Sequence, residues 1–86
     1  MEKEKRIASV FITIEKNSKN IPLINKILGD FSQNIISRQG LSLPDKSFNI
    51  ITLIINSDIN TINALAGKIG KIKDAKIKIT INKSKN

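Results

Sequence analysis

The side chains that most often carry out catalysis or bind transition metals are scarce in this chain of 86 residues, which has no cysteine and no histidine. This composition excludes thiol nucleophiles, Ser-His and Cys-His catalysis, disulfides, and zinc and haem sites of the usual type. The carboxylates fall in predicted tails, loops and helix caps, and no two converge on a predicted cleft: Glu2, Glu4, Glu15, Asp30, Asp45, Asp58 and Asp74. We therefore predict no catalytic residue, no metal site and no cofactor, and expect that the protein is not an enzyme.

Arg38 and Gly40 form the first candidate binding site, at the end of a predicted strand. An arginine beside a glycine can hold an anion or the carboxylate of a partner. The alternative is a solvated arginine next to a turn in which the glycine supplies a positive φ. The residues alone favour this alternative, because an arginine near a glycine is not a specific motif.

Gly67, Lys68 and Gly70 form the second candidate, within the segment Gly-Lys-Ile-Gly-Lys at 67–71. A phosphate-binding loop precedes a helix and reads GxxxxGK followed by Ser or Thr. Here the glycines close a predicted helix, where the macrodipole is negative and lysines complement it. We interpret Gly70 as the residue that ends this helix in the usual way.

The net charge of +8 is compatible with a nucleic-acid partner. However, arginine, which recognises bases and phosphates best, is present only at Arg6 and Arg38, and the three phenylalanines lie in apolar patterns typical of a core. A basic patch could form from Lys68, Lys71, Lys73, Lys76 and Lys78, although a solvated helix end and edge strand explain the same run. DNA binding is therefore an alternative that the sequence does not favour.

The segment Phe48–Asn56 has apolar residues at both odd and even positions, which predicts a central strand covered on both faces. The segment Arg6–Ile14 has a similar pattern and predicts a first strand. The remaining predicted elements are a helix at Ile21–Phe31 with Asn20 as N-cap, a short strand at Asn34–Gln39, a loop at Leu41–Ser47, a helix from an Asp58 cap to about Ile69, and a lysine-bearing edge strand at Ala75–Asn82.

The order strand, helix, strand, strand, helix, strand predicts an α+β, ferredoxin-like fold: a four-stranded antiparallel sheet with two helices on one face. We predict a single domain over 1–86, with flexible tails at 1–5 and 83–86. No apolar run approaches the roughly 20 residues that a membrane span needs. Because disulfides and an apolar signal-peptide segment are also absent, we expect a cytoplasmic protein without membrane contact.

The first and third strands carry apolar residues on both faces, whereas two helices cover only one face of such a sheet. The other face would expose apolar side chains in a monomer. We therefore predict a homo-oligomer, a dimer or a tetramer, whose interface includes Ser9, Phe11 and Thr13.

Four segments resemble the motifs of one known family. They are Ser37-Arg38-Gln39-Gly40 at the end of the second strand, Asn49-Ile50-Ile51-Thr52-Leu53, Asn63-Ala64-Leu65-Ala66-Gly67-Lys68-Ile69-Gly70 in the second helix, and Ala75-Lys76-Ile77-Lys78. Together they resemble the ACT-like regulators of the iron-only hydrogenase system, with Ser37 and Gln39 departing from the Gly-Arg-Met-Gly-like motif of that family.

The resemblance implies an ACT-like regulatory domain without enzymatic activity, which acts through protein partners of the hydrogenase system or through a small ligand at subunit interfaces. It also implies that Arg38, Gly40, Gly67, Lys68 and Gly70 contact such a ligand or partner. ACT domains often bind amino acids at a glycine-containing loop, which Glu15–Asn20 does not match. The alternative is a DNA-binding transcriptional regulator that uses the lysine-rich surface.

Overall fold

The protein is described here by a computed structural model that covers residues 4–82. The elements follow the predicted order: β1 (Arg6–Glu15), α1 (Ile21–Asp30), a 3-10 turn (Ser32–Asn34), β2 (Ile35–Ser42), β3 (Phe48–Ser57), α2 (Ile59–Gly70) and β4 (Ala75–Asn82). The predicted tail at 83–86 and the first three residues of the tail at 1–5 lie outside the described residues.

The strands form one antiparallel sheet in the order β2-β3-β1-β4. β1 and β3 are the two central strands, in agreement with apolar residues at both odd and even positions. β2 and β4 form the edges, and the outward lysines of β4 are a common protection against edge-to-edge pairing. The predicted ferredoxin-like fold is confirmed.

One hydrophobic core lies between the sheet and the helices. From the sheet it takes Ala8, Val10, Ile12 and Ile14 of β1 with Leu53 and Ile55 of β3, and from the helices Ile24, Ile27 and Leu28 of α1 with Ile62, Leu65 and Ile69 of α2. The helical residues recur at the predicted i, i+3, i+4 spacing. Each fully buried aliphatic side chain stabilises the fold by about 1.5–3 kcal/mol.

The loop between β1 and α1 is held by hydrogen bonds, although it contains no glycine. The Ser18 hydroxyl donates to Asp74 Oδ2 at 2.8 Å, and the Asn20 N–H donates to Ser18 Oγ at 2.9 Å. The Lys16 ammonium donates to the Leu43 carbonyl oxygen. Asn20 is the N-cap residue of α1, as predicted, although its side chain makes no capping hydrogen bond to the helix.

β2 is longer than predicted and continues to Ser42 instead of ending at Gln39. Residues Gly40–Ser42 pair with Asn49–Ile51, because the long strand β3 offers partners beyond the apolar part of β2. The register shifts between Ile35 and Ser37, which leaves the side chain of Ile36 60 % exposed.

α2 ends at Gly70, as predicted, whereas the alternative of a positive φ at Gly40 in a turn is wrong. No residue between 4 and 82, glycine included, has a positive φ. Gly70 is the last residue of α2, and Lys71 follows in right-handed helical conformation. Gly40 lies inside β2 and not in a turn. The Ile72 N–H donates to the Ile69 carbonyl at 3.0 Å at the end of α2, and the Ala75 N–H donates to the Ile72 carbonyl at 3.2 Å in the turn that follows.

Asp58 caps the N-terminus of α2, as predicted. Its Oδ2 accepts a hydrogen bond from the Thr61 backbone N–H at 3.3 Å, and its Oδ1 accepts one from the Thr61 hydroxyl at 2.7 Å. We expect Asp58→Ala to lower the free energy of unfolding by about 1 kcal/mol, measured by urea denaturation. Asp58→Asn is the control, since asparagine caps about as well. Equal losses for both variants would contradict the capping role.

The glycine at Gly67 lies inside α2 with helical geometry, and a Cβ added there meets no atom within 4 Å. We therefore expect Gly67→Ala to raise the free energy of unfolding by about 1 kcal/mol. Ala64→Gly, at another exposed position of the helix, should lower it by a similar amount. A destabilising Gly67→Ala would show that Gly67 is needed for a contact that the single chain does not make.

Candidate functional site

The face of the sheet away from the helices, here called the open face, is not covered by any other element of the described chain. The cross-strand register places on it the alternate residues of each strand: Ile7, Ser9, Phe11 and Thr13 of β1, Ile50, Thr52 and Ile54 of β3, Ser37, Gln39 and Leu41 of β2, and Lys76, Lys78 and Thr80 of β4. The three residues predicted at an interface, Ser9, Phe11 and Thr13, therefore lie side by side on one surface.

The centre of the open face is apolar and only partly covered. Phe11 lies between Thr52 and Lys78 in the register, and its side chain is 43 % exposed. Ile7 and Leu41 are exposed to a similar extent, at 40 % and 42 %. A shallow depression of about 530 Å³ next to Phe11 is lined by residues of all four strands. This surface can bury apolar area against another protein surface.

The lysines of the open face lie at one margin. Lys76 and Lys78 of β4 border the apolar centre on one side, and the uncharged Ser37 and Gln39 of β2 border it on the other. An apolar centre with a polar rim is the usual arrangement of a protein–protein interface. Long lysine side chains can also lie over apolar surface while their ammonium groups stay in water.

Arg38 lies on the side of β2 that faces the helices. Its guanidinium donates a hydrogen bond to Asn25 Oδ1 of α1 at 2.7 Å, and both side chains are exposed. This contact connects the edge strand to α1, a role that the sequence did not predict. Gly40 shares this side of β2 with Arg38, two residues further along the strand.

Gly67, Lys68 and Gly70 lie on α2, away from Arg38 and Gly40. Lys68 lines a groove of about 660 Å³ together with Leu23, Lys26 and Ile27 of α1. Arg38, at the edge of the sheet, also contacts α1, through its hydrogen bond to Asn25. Arg38 and Gly40 therefore lie on β2, and Gly67, Lys68 and Gly70 lie on α2. Their contact with a ligand or partner stays a prediction.

Asn49 is a polar residue at an inward position, which was not predicted from the sequence. It lies in β3 opposite the buried Ile14, and its Oδ1 is buried without a hydrogen-bond partner. A signal was available: Asn49 has the same parity in the strand as Ile51, Leu53 and Ile55, so it is a polar residue at an inward position. Nothing in the residue pattern indicated that its Oδ1 would lack a partner.

Between residues 4 and 82, no three side chains of a type that binds metals cluster together. No helix in the same range is long and apolar enough to cross a membrane.

Comparisons with known proteins agree with the fold. The family model TM1266-like, described as "Iron-only hydrogenase system regulator, putative", matches residues 6–79. The solved structure of the uncharacterized protein TM1266 from Thermotoga maritima has a TM-score of 0.89 and 34 % identity, over 93 % of this chain and 100 % of that chain. The de novo designed protein Foldit4 shares the fold alone, with a TM-score of 0.61 and 16 % identity over 95 % of this chain and 100 % of that one.

No curated protein matches the chain. Neither the family description nor the solved relatives support the DNA-binding alternative. The family match spans most of the chain, and it includes both central strands and both helices. On this evidence, the chain belongs to the TM1266-like family.

Proposed function

We propose that the protein is a cytoplasmic regulatory module of the iron-only hydrogenase system that catalyses no reaction itself. It acts as a homo-oligomer formed through the open face, and it transmits its effect through a protein partner of that system or through a small bound ligand. The family to which the chain belongs supports the regulatory role. The apolar open face supports the assembly.

The exposed side chain of Phe11, at 43 % in the centre of a sheet, is the observation on which the assembly rests. Burying an apolar side chain of this size fully is worth about 1.5–3 kcal/mol. At about 4.8 Å between strands and 3.3 Å per residue, four strands of eight residues form a face of about 19 by 26 Å. The projected area of this face is about 500 Å², below the roughly 800 Å² per partner that a standard interface buries, so the open face fits a small interface.

A second copy of the chain is the occupant that fits the open face best. In a two-fold dimer the same surface serves both subunits, so each apolar centre covers the other. The lysines at the β4 margin then lie at the rim, where they stay hydrated, and do not need a buried acidic partner. Lysines buried at the centre of the interface would need acidic partners, and the open face has no acidic cluster that could neutralise them.

Charging the open face should weaken the assembly. We expect Phe11→Glu to shift the solution mass, measured by light scattering after size exclusion, from oligomer towards monomer, because the interface would bury an unpaired carboxylate. Leu23→Glu is the matched control, since Leu23 is 44 % exposed but lies on α1, away from the sheet. An unchanged mass for Phe11→Glu, or an equal shift for Leu23→Glu, would remove the open face as the interface.

The regulatory role can be tested in cells that carry this gene together with an iron-only hydrogenase. Deletion of the gene should change hydrogenase activity, and expression of the wild-type chain should restore it. Phe11→Glu, at equal protein abundance, should restore it less than Leu23→Glu. Hydrogenase activity that does not respond to the deletion would contradict the regulatory role, whatever the state of assembly.

A further inference from the structure

The two margins of the open face differ in charge, and the register connects them in rows. Each row runs from β4 through the paired residues of β1 and β3 to β2. The rows connect Thr80 with Ser37, Lys78 with Gln39, and Lys76 with Leu41. The β4 margin therefore carries two lysines, whereas the β2 margin carries a hydroxyl, an amide and an aliphatic side chain. This difference between the margins restricts how two copies of the chain can meet.

Two copies that meet through the open face are related by a two-fold axis that lies between the two sheets. Sheets packed face to face usually keep their strand directions within about 30° of each other. The axis therefore runs either nearly across the strands or nearly along them. An axis across the strands places β4 over β4 of the second copy, whereas an axis along the strands places β4 over β2 of the second copy.

An axis across the strands brings like charges together. Lys76 and Lys78 of both subunits would then lie at one edge of the interface, opposite each other. Neither lysine has an ion-pair partner among residues 4–82, and Glu15, at the end of β1, forms no ion pair with either of them. Like charges that face each other across an interface disfavour the complex. This arrangement is therefore the less stable of the two.

An axis along the strands places each row over the same row of the second copy, reversed end to end. Thr80 then faces Ser37 of the second copy, so that two hydroxyl groups meet. Lys78 faces Gln39, whose Oε1 can accept a hydrogen bond from the ammonium group at the rim. The methylene groups of Lys76 lie over Leu41, which is 42 % exposed in the single chain. The two margins are complementary in this arrangement.

We propose that two copies of the chain pack with β4 of one over β2 of the other, and that a hydrogen bond from Lys78 to Gln39 of the second copy determines this orientation. Because the interface is two-fold symmetric, this contact is made twice. The inference rests on the proposed assembly through the open face. It adds the orientation of the subunits and the residues that select it.

Cross-linking of thiols tests the orientation in the full chain, which has no cysteine of its own. The variants are Lys78→Cys, Gln39→Cys and the double variant, and the reagent spans about 10 Å, the separation of packed sheets. With β4 over β2, positions 78 and 39 of different subunits lie about 10 Å apart, and equal positions lie about 17 Å apart. We expect a cross-linked pair of chains as the main product of the double variant on a denaturing gel, and none from either single variant.

Charge substitutions test the same contact without a reagent. Gln39→Lys places a lysine opposite Lys78 of the second copy, and we expect it to raise the dissociation constant of the assembly about fivefold or more, measured by analytical ultracentrifugation. Adding Lys78→Glu to this variant turns the repulsion into an ion pair and should reverse the loss. Gln33→Lys is the matched control, because Gln33 is exposed in the 3-10 turn after α1 and lies outside the open face.

Three outcomes would overturn the proposed orientation: cross-linking of Lys78→Cys with itself, no cross-linked pair from an oligomeric double variant, or no recovery when Lys78→Glu is added to Gln39→Lys. In each of these cases the wild type is still an oligomer that Phe11→Glu dissociates. A wild type with the solution mass of a monomer would instead contradict the assembly itself. The solution mass therefore distinguishes a failure of the orientation from a failure of the proposed function.

Discussion

The two central strands carry apolar side chains on both faces, while the helices cover only one of these faces. On the helix side, Val10 and Ile12 of β1 and Leu53 of β3 are almost completely buried. Phe11, which lies between Val10 and Ile12 in the sequence, points to the other side and remains 43 % exposed. Core residues and open-face residues therefore alternate along the same strands. Neither set can move to the other face of the sheet unless the strand pairing shifts by one residue.

The sequence specified the fold well because its strongest signals are local and repeated. The i, i+3, i+4 stripes gave both helices, and Asp58 gave the start of α2 because its capping hydrogen bonds reach only to Thr61. The conformations of the glycines were harder to predict. The extended conformation of Gly40 depends on its pairing with β3, and the helical conformation of Gly67 depends on the continuation of α2 to its last turn. The unpaired amide of Asn49 and the Arg38–Asn25 contact depend on how α1 lies over the sheet, which residue spacing does not encode.

The central claim, that two chains meet through the open face, is tested most directly by distances between spin labels in the assembled protein. The chain has no cysteine, so a single label can be attached at Thr80→Cys, on the open face, or at Lys26→Cys, on α1. Sheets that pack face to face lie about 10 Å apart, and each helix layer adds roughly its own diameter of about 10 Å. We expect a clearly shorter distance between labels at Thr80 than at Lys26; a shorter distance at Lys26, or no dipolar coupling at either site, would contradict an interface through the open face.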